Sequence, residues 1–146
     1  MPKVVKIGVC QENGNEIVSL NEVLVVKGQG LTGDRHLKIE NDIKNQITLI
    51  EIENIIFFNK LSNTSIEPLN FRRNIVTKDI ELNDLVGKKF FIGKVKVKGH
   101  DLCRPCKHLQ DNLKQKNILK DMMFKGGLRC EVLNSEKIYI NDEIVR

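Results

Sequence analysis

Hydrophobic and polar positions along the chain favour β-structure. Residues 3–10 and 16–27 are rich in Val, Ile and Leu and are separated by Gln-Glu-Asn-Gly-Asn, a pattern that predicts two strands joined by a turn. A short strand at 46–50 runs into a helix over about 51–61, whose apolar face is marked by Ile52, Ile55 and Ile56 and whose end is signalled by Ser62 and Asn63. After a polar loop containing Pro68, the run 72–77 reads as a strand. Residues 89–99 give the clearest strand signal, because Val95 and Val97 alternate with Lys94, Lys96 and Lys98; Gly93 within it predicts a bulge or tight bend. From Lys107 to about Phe124 the pattern turns helical in two pieces, with Leu109 and Leu113 in the first and Leu119, Met122 and Met123 in the second, and Gly126-Gly127 stops it. Residues 128–133 and 137–140, about a short polar turn, predict a closing hairpin.

Strands at regular spacing with two helical regions predict a mainly β fold with peripheral helices (α+β), a closed or nearly closed β-barrel. A doubly wound sheet requires more alternation of strand and helix. The 146 residues suit one domain spanning 1–146. Aromatic residues are few, with no Trp and one Tyr, so the core rests on aliphatic side chains.

Charge changes the picture little. The net charge is +5, but the lysines are scattered and interleaved with acids, which argues against nucleic acid as a partner. No apolar run is long enough for a signal peptide or a membrane span, so the expectation is a cytoplasmic protein, with no membrane partner, whose four cysteines stay reduced.

Three segments carry candidate chemistry. In His100-Asp-Leu-Cys103-Arg-Pro-Cys106-Lys-His108, Pro105 forces extended geometry on the residue before it, which would set Cys106 near a helix N-terminus with Arg104 and Lys107 beside it. Such surroundings favour a reactive thiolate. The same residues read otherwise as two buried core cysteines, as a zinc site lacking a second ligand pair, or as a dithiol redox pair without the usual βαβ context. Gly28-Gln-Gly30-Leu-Thr-Gly33-Asp34-Arg35-His36 holds three glycines in six residues; it is either a capped turn or a loop presenting N–H groups, Arg35 and His36 to an anion. Phe71-Arg72-Arg73-Asn74, read as strand, puts Arg72 and Asn74 on one face and Arg73 on the other, with Arg72 able to fork onto a phosphate or carboxylate.

The order of these segments is more specific than any one of them. Gly-Asp-Arg-His at 33–36, Arg-Arg-Asn at 72–74, Leu-Val-Gly-Lys-Lys-Phe-Phe-Ile-Gly at 85–93, Pro105-Cys106, and Gly-Gly-Leu-Arg-Cys-Glu-Val at 126–132 resemble the MOSC domain family, named for the C-terminal domain of molybdenum cofactor sulfurases. The resemblance implies a β-barrel-like fold and a signature cysteine at Cys106, acting as a persulfide-forming sulfur carrier or as the sulfur ligand to molybdenum. It implies that Arg72 and Asn74 help hold the pterin phosphate of molybdenum cofactor, with the loop Gly33, Asp34, Arg35 and His36 completing an anion pocket. Implied partners are a sulfur donor such as a cysteine desulfurase, or the enzymes and biosynthesis proteins of molybdenum cofactor. Pyridoxal phosphate is not expected, since no lysine-centred site for it is identifiable. The competing expectation is a non-catalytic binding module whose cysteines are structural or hold zinc.

Overall fold

A computed structural model describes residues 1–11, 17–103 and 124–146. Eleven strands are described: β1 (Lys3–Cys10), β2 (Ile17–Leu20), β3 (Glu22–Val26), β4 (Gly30–Leu31), β5 (Ile47–Glu51), β6 (Ile75–Lys78), β7 (Lys89–Ile92), β8 (Val95–Leu102), β9 (Leu128–Val132), β10 (Glu136–Tyr139) and β11 (Ile144–Val145). One α-helix, α1 (Ile52–Ser62), links the parallel pair β5 and β6. Eight strands form one sheet in the order β11-β7-β8-β9-β5-β6-β1-β2, and β10-β3-β4 form a second.

Two apolar clusters explain this arrangement. Val4, Ile7, Ile47, Leu49, Ile75, Phe90, Val95, Val97 and Leu128 fill the hollow of the curled main sheet. Ile50, Val76, Ile55, Phe58 and Phe71 pack on its other side under α1. The period-2 geometry of a strand sends Leu49 and Ile75 into the first cluster and their neighbours Ile50 and Val76 into the second, so β5 and β6 are apolar on both faces.

The main sheet is an open, strongly curled half-barrel, where a closed or nearly closed barrel was expected. The edge of β1 over Ile7–Cys10 is taken by β2, so only the start of β1 meets the far end of the chain, through a bridge from Lys3 to Glu143 and backbone bonds from the Val4 N–H to the Asp142 carbonyl, from the Asn141 N–H to the Val4 carbonyl and from the Ile144 N–H to the Pro2 carbonyl. The expected strand 16–27 is two strands in different sheets: it breaks at Asn21, whose carbonyl accepts from the Ile140 N–H. The expected hairpin of 128–133 with 137–140 does not form. Both edges of β9 are occupied, by β8 and β5, and β10 pairs with β3 instead.

Gly93 makes a tight turn between β7 and β8, in line with the bend expected there. Helix α1 ends on Asn63, whose left-handed backbone lets its N–H close onto the Asn59 carbonyl. Its buried face, however, is Ile55 and Phe58, with Phe58 edge-on to Phe71 at 5.9 Å, while Ile56 is 58 % exposed. Residues 55 and 58 share one helix face, and 56 lies about 100° around from 55. The helical pieces expected over 107–124 fall outside the described residues, apart from Phe124. Among the described residues no helix is long and apolar enough to cross a membrane.

Candidate functional site

The loop after β4 is held by one carboxylate. Asp34 accepts the Cys10 N–H at 2.9 Å and the His36 N–H at 3.2 Å, and the Arg35 N–H donates to the Cys10 carbonyl at 2.7 Å, fastening the loop to the end of β1. Gly33 permits this turn with a φ of +86°. Burial works to raise the Asp34 pKa, but the hydrogen bonds from the His36 side chain and from the two N–H groups, with the nearby His36 charge, outweigh it and leave the carboxyl below its ordinary value. His36 Nδ1 lies 3.4 Å from the carboxylate.

The opposite wall differs from the alternating strand expected at 72–74. A 3-10 turn, Pro68–Phe71, ends on Arg72 in a left-handed conformation, and β6 begins only at Ile75. Alternation therefore does not govern 72–74, and Arg72, Arg73 and Asn74 all border one cavity. Arg72 Nη2 donates to Cys10 Sγ at 3.1 Å. Asn74 Oδ1 accepts from both the N–H and the hydroxyl of Thr48, and its Nδ2 donates to the Gly8 carbonyl, tying β1, β5 and β6 together. Arg73 Nε donates to the Gly126 carbonyl at 2.8 Å.

The cavity holds about 220 Å³ and gathers Arg35, His36, Lys44, Arg72 and Arg73 around Cys10, with Asp34 as the one carboxylate among its described lining residues. Asp34, Arg35, His36, Arg72 and Asn74 thus line one cavity, whereas Gly33 shapes the loop without lining the space. Cys10, Lys44 and Thr48 were missed: Lys44 sits within a 3-10 turn capped by Asp42, Cys10 at the end of β1 and Thr48 in β5, and none of them lies in a recognisable motif. Such a ring of cations suits a phosphate-sized oxyanion.

Cys106, with Arg104, Pro105, Lys107 and His108, lies outside the described residues. Cys103 is buried; desolvation pushes its thiol up, partly offset by the charges of Arg73 and Arg129 and a hydrogen bond from Arg73, while Asp101 adds to the rise. Cys130 is deeper still and is raised well above the ordinary thiol range by burial, then by Cys103. His100 Nε2 is 3.2 Å from Glu131. Among the described residues no group of three or more His, Cys, Asp or Glu side chains could hold a metal ion.

No curated protein matches the sequence closely enough to be counted a relative. Among solved structures, the chain is similar to the YuaD protein of Bacillus subtilis (TM-score 0.83, 16% identity, 99% of this chain and 94% of that one). It is also similar to YiiM from Geobacillus stearothermophilus (TM-score 0.79, 16% identity, 99% and 74%) and to YiiM from Escherichia coli (TM-score 0.72, 16% identity, 100% and 70%). At these identities the likeness concerns the fold. The MOSC domain profile matches residues 23–145, nearly the whole chain, and the protein belongs to the MOSC domain family.

Proposed function

We propose that this MOSC protein serves molybdenum cofactor metabolism, with Cys106 as the working thiolate, carrying sulfur as a persulfide or ligating molybdenum, and with an anion pocket lined by Arg35, His36, Lys44, Arg72 and Arg73. The observation that carries the reading is that pocket: five basic side chains around about 220 Å³, with the neighbouring carboxylate of Asp34 turned onto backbone N–H groups. The donor set fits the terminal phosphate of a pterin cofactor, since guanidinium forks and an ammonium match phosphate oxygens. Arg72, Arg35 and Lys44 would hold that phosphate, and Asn74 and Asp34 keep the walls in place. When bound, molybdenum cofactor supplies two-electron redox chemistry at its metal. Cys106 suits either role, because a soft metal and a sulfane donor both require a thiolate, and Arg104 and Lys107 flank it in sequence with positive charge. Desulfurases and molybdenum cofactor enzymes are the corresponding partners.

The test is native mass spectrometry of the full chain made in cells that synthesise molybdenum cofactor, with a second sample incubated with a cysteine desulfurase and cysteine. The expected result is a bound pterin or one added sulfur, lost in Cys106→Ser. One zinc per chain, lost when His100 or His108 is changed, would overturn the reading in favour of a zinc-holding binding module.

A further inference from the structure

We infer that Cys10 is a second sulfur acceptor, taking sulfane sulfur from a small anionic donor of the thiosulfate class that enters the cavity. The inference rests on the reading of that cavity as an anion site, and it adds both a thiol and a donor chemistry to it.

Two buried cysteines show the contrast. Cys130 packs within the main apolar cluster, whereas Cys10, only 6 % exposed, lines the cation-ringed cavity. Its backbone is fixed on both sides, by Asp34 at the N–H and by the Arg35 N–H at the carbonyl, and Arg72 Nη2 is directed at its sulfur at 3.1 Å. A guanidinium thus stands at hydrogen-bond distance from the sulfur, where it can stabilise negative charge that develops during the attack. Arg35, Lys44 and Arg73 line the same space and bring positive charge to it, which favours a donor with an anionic sulfonate end. A cavity of about 220 Å³ is large enough for a small oxyanion such as thiosulfate.

The step balances without an outside oxidant. The Cys10 sulfur attacks the outer sulfur of thiosulfate; the new S–S bond forms as the donor's S–S bond breaks, and the electron pair leaves on sulfite. The thiol proton ends on the persulfide, so Cys10-SH and thiosulfate give Cys10-S-SH and sulfite.

The full chain, reduced, is incubated with thiosulfate, without desulfurase, and read by intact mass and peptide mapping. One added sulfur mapping to Cys10 is expected, released on cyanolysis, kept in Cys106→Ser and lost in Cys10→Ser and Cys10→Ala. Because the map on the unaltered protein identifies the residue, a variant that folds poorly does not obscure the result. Arg72→Gln should slow the addition by about tenfold or more, the loss expected of a charge-assisted hydrogen bond, and sulfate should protect where chloride at equal ionic strength does not. No added sulfur, sulfur on Cys106 alone, or a rate indifferent to Arg72→Gln and sulfate overturns the inference. Failure of Cys106 to load from a desulfurase, with Cys10 loading from thiosulfate, counts against the proposed function and leaves this inference standing.

Discussion

Asn74 sits in the wall of the cavity, and its side chain is engaged by the fold. Its amide bonds the N–H and hydroxyl of Thr48 and the Gly8 carbonyl, joining three strands at the point where the chain leaves Arg72. Asn74→Ala is expected to cost about 2 to 3 kcal/mol in a denaturant titration, because it removes three bonds and leaves buried partners unmet. A loss below about 0.5 kcal/mol would mean that the three strands are held without it. Glu51, at the junction of β5 and α1, makes a second prediction. Burial first, then the charges of Glu81 and Glu53, push its carboxyl up to about 7, against bonds from the Leu82 N–H and the Asn54 side chain. Unfolded, it ionises near 4.5, so between these values folding takes up a proton. Its contribution is therefore most favourable below the unfolded pKa, falls as pH rises towards 7, and stays lowest above. Glu51→Gln should match the parent protein near pH 4 and gain of order 2 kcal/mol above pH 7, after allowance for solvent screening. A stability difference that is flat with pH would rule this out.

At the scale of elements, most strand positions were legible, whereas pairing was legible only where a turn joins neighbours, as in β1 and β2. Alternating valines and lysines mark β8, and the runs at β1 and β5 mark themselves, because burial on one face or two leaves a period in the chain. That period says which side chains point inward, but it carries nothing about the neighbour across the ladder. The expected hairpin of 128–133 with 137–140 failed for this reason: β9 is a central strand, filled on both edges. Gly127, which opens β9, shows how tight that centre is. Its φ is +108°, its carbonyl accepts the Cys103 N–H, and a Cβ there would strike the Leu49 carbonyl of β5. Gly127→Ala should destabilise by at least about 2 kcal/mol, from backbone strain and overpacking together. It should also weaken anion binding, since Arg73 is anchored on the adjacent Gly126. Unchanged stability by thermal unfolding would show that β5 and β9 can separate at no cost.

Across the whole molecule, the pocket is assembled from chain segments far apart in sequence. The Cys10 N–H reaches Asp34 over 24 residues, and Arg72 reaches the Cys10 sulfur over 62. Local sequence determined the mainly β character, the helix after β5, the glycine turn that carries Asp34, Arg35 and His36, and the order of motifs that marks the family. Those features depend on backbone propensity and near-neighbour spacing, which are written along the chain. Only tertiary structure decided that the sheet stays open, that Arg73 joins Arg72 at the cavity, and that Cys10 and Lys44 border it. Each of these depends on which strand edges are already occupied and on where a left-handed residue breaks the alternation, and both are set by packing between distant segments.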